Sequence, residues 1–156
     1  MTIALFVYLL SIACWIGAIV FFSFFTAPVV FTRLPVAEAG KVISAIFPRY
    51  YMLGYVAGGL SVILAIYFTV TRGPRLWWGF TTVVLAVALV LTFYAGAVVR
   101  PRVDQIRTVS EEQPSDPARK AEFDRLHRLS VVLNGAVLLL NLAAFAGTAG
   151  ALAERV

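Results

Sequence analysis

The sequence predicts an all-α membrane protein, a four-transmembrane-helix bundle with short connections. The chain has 156 residues, of which 61% are hydrophobic and only 13% are charged, whereas a soluble domain is roughly half apolar and a quarter charged. Its mean hydropathy is +0.89. The apolar residues are gathered into uncharged blocks that reach the roughly 20 residues needed for one span. This composition excludes a soluble enzyme, a disordered protein and a disulfide-rich secreted domain.

Residues 1–156 are predicted to form a single integral membrane domain. The predicted spans cover approximately residues 3–27, 50–71, 77–99 and 129–152. The first block is longer than the apolar core of a signal peptide and has no basic segment before it, so we interpret it as a retained helix. Pro28 is expected to end or kink that helix. Gly73-Pro74 predicts a tight turn, which makes the second and third spans an antiparallel hairpin.

Two further helical segments are predicted outside these spans. In residues 36–47 the apolar side chains recur at helical spacing, and Glu38 and Lys41 lie on the opposite side. This pattern predicts a short amphipathic interfacial helix between the first two spans, with Pro48 starting the second span. Asp116-Pro117 is typical of an N-cap followed by a first helical residue. The fourth helix is therefore expected to begin in water, as a cytoplasmic extension of its span.

The distribution of basic residues predicts the orientation of the bundle. Ten of the 13 Lys and Arg residues lie in the first and third connections, and only Arg72, Arg75 and Arg155 lie on the other side. The positive-inside rule therefore places those connections in the cytoplasm and both termini outside an inner or plasma membrane. The net charge of +5 is interpreted as a means of binding anionic lipid in the bilayer, and no nucleic-acid partner is predicted.

Three segments are predicted to converge at the cytoplasmic face: residues 47–51, 100–102 and 123–134. Together they suggest a polar site for an anionic group. Its candidate residues are Tyr50, Tyr51, Arg100, Arg102, His127, Ser130 and Asn134. The alternative is an aromatic and basic belt at the lipid headgroups. Helical spacing also puts the last three of these residues in one stripe with Asn141, which would form either interhelical hydrogen bonds or the polar lining of a conduit.

The residues that carry most enzyme and metal chemistry are scarce. The chain has one His, one Cys and two Met. Metal-ligand spacings, catalytic triads and paired carboxylates are missing from the sequence, so no enzyme, no metal site and no cofactor are predicted. A copper or haem site built from Met52 and His127 stays open as an alternative. The spans lack a deeply placed ionisable residue, which argues against a self-contained pump.

Small residues at four-residue spacing predict close helix packing, either within the bundle or between protomers. Gly54 and Gly58 follow this spacing in the second span, and Gly147 and Gly150 belong to two such pairs in the fourth. Four thin helices leave little room for an internal path, so transport of a small solute or metal species would need a homo-oligomer. The other functions left open are a structural or assembly role with a membrane partner and a haem- or copper-associated redox role.

Several short motifs occur in a characteristic order. They are W-x-G at Trp15 and Gly17, A-P-x-x-F from Ala27 to Phe31, FPRYY at residues 47–51, the proline at Pro101, and F-x-x-L-H-x-x-S-x-x-x-N at residues 123–134. Over nearly the whole chain, this order resembles the transmembrane protein 205-like family of four-span proteins. The family is mostly of unknown function, and its animal member is associated with drug and metal-compound resistance.

The resemblance implies a small four-helix membrane protein linked to efflux or trafficking. The family-like residues, carried over by position, are Trp15, Gly17, Pro28, Phe47, Pro48, Tyr51, Pro101, His127 and Asn134. None of them brings an assigned chemical role.

Overall fold

A computed structural model of the chain describes residues 2–72, 75–112 and 117–154. The described residues form four long helices and contain no strand. The helices are α1 (Thr2–Arg33), α2 (Val36–Thr71), α3 (75–112) and α4 (Pro117–Ala153). Each helix contains a stretch long enough and apolar enough to cross a membrane, which confirms the predicted fold. The predicted Gly73-Pro74 turn and the Asp116 cap lie outside the described residues.

The four helices run alternately up and down. α1 packs against α2 and α4, and α3 packs against the same two helices. Tyr8, early in α1, is hydrogen-bonded to Thr148, late in α4, and Thr69, late in α2, is hydrogen-bonded to Thr82, early in α3. We call the end where α1 and α3 finish and α2 and α4 begin the basic end, and the opposite end the terminal end.

Large aromatic side chains fill the interior of the bundle. Toward the terminal end, the Tyr8 ring packs edge-on against Phe68 at 5.6 Å and Trp78 at 5.7 Å between ring centroids. Near the middle, Trp15 is only 2% exposed and lies against Gly54 and Gly58 of α2. Large side chains thus occupy the interior of the bundle from the terminal end to its middle.

The closely spaced glycines are used for packing inside the chain. A Cβ on Gly58 would lie 2.8 Å from both Leu89 Cδ1 and Trp15 Cη2, which is closer than real Cβ contacts. Gly147 and Gly150 of α4 similarly lie against α3 side chains. The α2 and α4 glycines thus account for helix contacts within one protomer, and the homo-oligomer stays a prediction that these residues do not support.

Three prolines near the ends of the predicted spans lie inside helices: Pro28, Pro48 and Pro101. α1 continues past Pro28 to Arg33, and α3 continues past Pro101 to Glu112. Residues 36–47 are helical as predicted, but they form the first turns of α2, which runs through Pro48 without a break. They are not a separate interfacial helix, because Ala39 and Ile43 are buried and the Ser44 hydroxyl donates a hydrogen bond to Asp104 of α3.

Two π-helical segments explain why two of these prolines do not end their helices. The segments are Phe21–Thr26 in α1 and Ala95–Val99 in α3, and Pro28 and Pro101 each follow two residues after one of them. At the end of each segment, a backbone N–H donates to the carbonyl five residues back, from Ala27 to Phe22 and from Arg100 to Ala95. A proline ring clashes with the carbonyl four residues back and removes one N–H. The wider π turn relieves both problems, so the helix continues.

Candidate functional site

Asn134 of α4 is the centre of a polar cluster that joins three helices. Its Nδ2 donates a hydrogen bond to Ser23 Oγ of α1 at 2.7 Å, and its Oδ1 accepts one from the Tyr50 hydroxyl of α2 at 2.5 Å. We call Ser23, Tyr50 and Asn134 the Asn134 cluster. All three residues lie in the membrane-crossing helices. Their mutual bonds satisfy polar groups that hydrocarbon cannot.

A small internal cavity adjoins the Asn134 cluster. Its volume is about 20 Å³, and its walls include Trp15, Tyr50, Tyr51, Thr92 and Asn134. A cavity of this size holds about one water molecule. The site therefore offers hydroxyl, indole and amide groups around a space that is closed to larger solutes in this conformation.

Both π segments border this site. Ser23 lies within the π segment of α1, and Ala95, which lines the cavity, begins that of α3. At Gly96, a Cβ would overlap the Tyr55 hydroxyl and lie 2.7 Å from Tyr51 Cδ1, so glycine is needed for these two rings to pack on α3. Single π turns inside α-helices frequently mark functional sites. Their position here sets the Asn134 cluster apart from ordinary interhelical contacts.

The tyrosines of the site belong to an aromatic cluster toward the basic end. Tyr50 packs on Phe22 at 4.9 Å between centroids, and Tyr51 contacts Phe47 at 5.8 Å. Tyr55 stacks on Phe93 of α3 at 4.3 Å. These rings orient the Tyr50 hydroxyl toward α4 and separate the cavity from the headgroup level.

Arg100 lies on the headgroup side of the aromatic cluster, where it joins α3 to α2. Its Nη2 donates to the Ser44 carbonyl at 3.1 Å and lies 3.4 Å from a carboxylate oxygen of Asp104. Its guanidinium carbon lies 5.6 Å from the centroid of the Phe47 ring. Arg100 thus already has partners on both α2 and its own helix.

The structure divides the predicted site. Tyr50, Tyr51 and Asn134 line one cavity, with Arg100 beyond the aromatic cluster. Arg102 and His127 are exposed, and the His127 ring is parallel to that of Phe123 on its own helix. The Ser130 hydroxyl donates to the Leu126 carbonyl of its own helix, as Asn141 Nδ2 does to Val137. Asn134 is thus the residue of the predicted α4 stripe whose hydrogen bonds join α4 to other helices. Anion binding by the full set stays a prediction.

The remaining family-like residues have different surroundings. Trp15 is a core residue, Phe47 belongs to the aromatic cluster, and Pro28 and Pro101 follow the π segments. Gly17 and Pro48 are exposed.

Sequence reasoning missed Ser23, Thr92 and Asp104. Ser23 is conspicuous as a hydroxyl between two pairs of phenylalanines, and Asp104 is four residues from Arg100, the spacing of a helical ion pair.

The two candidate metal ligands do not meet. Met52 lines a groove between α1 and α2, whereas His127 lies on α4 beside Phe123. Tyr50 faces α4. Met52 lies two residues further along α2, so its side chain points to nearly the opposite side of the helix. Across residues 2–72, 75–112 and 117–154, no group of three His, Cys, Asp or Glu side chains is placed to hold a metal ion.

Comparisons with known proteins identify relatives without an assigned activity. The sequence model of a family described as a domain of unknown function (DUF4149) matches residues 10–112, more than half of the chain. An uncharacterized protein from Aquifex aeolicus (strain VF5) is 29% identical over 134 residues, which cover 86% of each chain. No solved structure matches significantly. The family match includes Ser23, Tyr50 and Gly96 and ends before α4, which supplies Asn134.

Proposed function

The chain belongs to the DUF4149 family, and we propose that it is a transport-class integral membrane protein that binds a small solute or metal compound at the Asn134 cluster. The observation that carries this proposal is the cluster itself. Three polar side chains from three helices are hydrogen-bonded to one another within the membrane-crossing segments. Two of them, Tyr50 and Asn134, line a cavity beside two π segments. A purely structural hydrogen bond between helices would not need a cavity or two interrupted helices.

The proposal requires the cluster to open. The cavity of about 20 Å³ is far smaller than a typical ligand site of several hundred Å³, and Trp15, Tyr8 and Trp78 fill the bundle toward the terminal end. A fixed pore through one protomer is therefore not the proposed path. A solute would enter from the basic end as α1 and α3 bend at their π segments. A second copy would complete the path, so the proposal includes a homo-oligomer.

The proposal includes neither an enzymatic activity nor a nucleic-acid partner. Acidic side chains are concentrated in the charged segments at the basic end, and the basic residues there are suited to anionic headgroups. An efflux role also agrees with the resemblance to the transmembrane protein 205-like family, which stays a prediction from the sequence.

Loss of the Tyr50 and Asn134 polar groups is expected to abolish transport. Growth of cells that express the protein is first measured against a panel of metal compounds and cationic drugs. The flux of the compound that gives a difference is then measured in liposomes. Tyr50→Phe and Asn134→Leu should both lose the growth effect and the flux, because each removes a polar group that lines the cavity and would bind the solute.

Two matched variants are the controls for this experiment. Tyr67→Phe changes an exposed tyrosine toward the terminal end, and His127→Ala changes an exposed side chain on α4. Both should behave like the wild type. If every variant transports as well as the wild type, or if no compound distinguishes the wild type from cells without it, the transport proposal fails. The filled interior would then favour an assembly role, in which the outer surface binds a membrane partner.

The basic end is proposed to face the cytoplasm, with both termini outside. Ten Lys and Arg residues lie in the connections at this end, against three at the other. An alkaline phosphatase reporter fused to either terminus should therefore be active, and a reporter that works only in the cytoplasm should be inactive there. The reverse pattern would overturn the orientation.

A further inference from the structure

A groove with a volume of about 870 Å³ runs between α1 and α2 on the outer face of the bundle. Its floor is made of small side chains, Ser11 and Cys14 from α1 and Ala57 from α2. Exposed apolar side chains such as Met52 and Val56 form its rim. It is separate from the Asn134 cavity, which lies on the inner side of the same two helices.

The side of the groove formed by α2 has about the length of one lipid leaflet. Along α2 it extends from Arg49 to Leu60, and the eleven steps between these residues rise about 16 Å along the helix. One leaflet contributes about 15 Å, half of the hydrocarbon core. On α1 the lining runs from Cys14, near the middle of the helix, to Val7, so the groove extends from the level of Arg49 at the basic end past the middle of the bundle. An acyl chain of that leaflet fits its length.

The end of the groove at the headgroup level carries an available positive charge. Arg49 is exposed, and its Nη1 contacts the Ala45 carbonyl of its own helix at 3.5 Å. Within the described residues, Arg100 forms an ion pair with Asp104, whereas Arg49 forms no ion pair. A guanidinium at this level is suited to a phosphate, with which it forms charge-assisted hydrogen bonds.

We propose that this groove binds one anionic phospholipid of the leaflet at the basic end. The acyl chain lies along Ser11, Cys14 and Ala57, and the phosphate is held by Arg49. A second copy of the chain fits this groove less well. Two protomers with the same orientation would bring their Arg49 side chains together at one depth, and the groove lining contains no carboxylate to separate them. A phosphate has the complementary charge.

Native mass spectrometry can count the lipids retained after the protein is extracted from vesicles of mixed phosphatidylglycerol and phosphatidylcholine. The wild type should retain one phosphatidylglycerol in preference to phosphatidylcholine. Arg49→Gln should reduce that retention about five-fold, the size of effect expected for one arginine near an anionic surface. Arg33→Gln, which removes another exposed charge at the same end, should leave retention unchanged.

A second pair of variants tests the acyl-chain portion of the groove. Cys14→Leu adds bulk to the groove floor and should lower retention of the lipid, whereas Ala13→Leu adds bulk at an exposed neighbouring position outside the groove and should not. Equal losses in Arg49→Gln and Arg33→Gln, or no preference for phosphatidylglycerol in the wild type, would overturn the proposal.

Oxidative cross-linking in the membrane tests whether a second copy of the chain occupies the groove instead of a lipid. Cys14 is the chain's one cysteine, so a disulfide-linked dimer can form only when two copies bring their grooves together. We expect no cross-linked dimer in copper-phenanthroline-treated membranes. Efficient cross-linking would show that a second copy covers the groove and would overturn the lipid assignment. These outcomes do not depend on transport at the Asn134 cluster.

Discussion

Replacing Trp15 with alanine is expected to lower the free energy of unfolding by about 3 kcal/mol. The indole is 2% exposed at the middle of the bundle, and it contacts α2 where Gly54 and Gly58 leave room for it. Alanine would leave a large cavity between α1, α2 and α3. The loss is placed at the low end of the range for tryptophan, because lipid is itself apolar and the cost comes mainly from lost packing.

The Trp15→Ala variant is measured by reversible unfolding in mixed micelles with increasing sodium dodecyl sulfate. Phe21→Ala is the matched control, because Phe21 is an aromatic residue on the same helix that is 65% exposed. It should change stability by less than about 0.5 kcal/mol. Similar losses in both variants would contradict a central role for Trp15 in the packing.

The number of helices could be predicted from the sequence, and their ends could not. Uncharged blocks of sufficient length define spans because lipid excludes charge and unpaired backbone groups. Pro28 was expected to end or kink its helix, and Pro101 lies just past the predicted third span, but both helices continue through these prolines. Whether a proline ends a helix depends on the hydrogen bonding of the preceding turn. The sequences before these prolines, FFSFFT and AGAVV, carry no pattern that distinguishes a π turn from an α turn.

The same π segments limit how much of the site could be predicted. Tyr50 and Asn134 could be placed at one level, since the depth of a residue follows from its distance along an antiparallel helix. It is harder to predict which side chains face each other. Each π turn inserts one residue, so the side chains that follow it on the same helix are rotated about the helix axis relative to a regular α-helix. Ser23 lies within such a turn. Arg100 and Arg102 follow the other, and only Arg100 faces α2.

Asn134→Ala is expected to lower the free energy of unfolding by about 1–3 kcal/mol. The substitution removes both interhelical bonds of the Asn134 cluster. It leaves the hydroxyls of Tyr50 and Ser23 without their partner inside a membrane-crossing segment. Single interhelical hydrogen bonds in membranes contribute about 0.6 kcal/mol on average, and a buried polar group left unpaired adds to the loss.

Asn141→Ala is the matched variant, because Asn141 lies two helical turns further along α4. It should lower the free energy of unfolding by less than about 1 kcal/mol. Asn141 is fully buried, but its Nδ2 donates only to the Val137 carbonyl of its own helix. Its Oδ1 has no partner among the described residues. Both substitutions gain the same helix propensity of alanine, so the difference between them measures the interhelical bonds. Equal losses in the detergent titration would mean that the Asn134 cluster does not join the three helices.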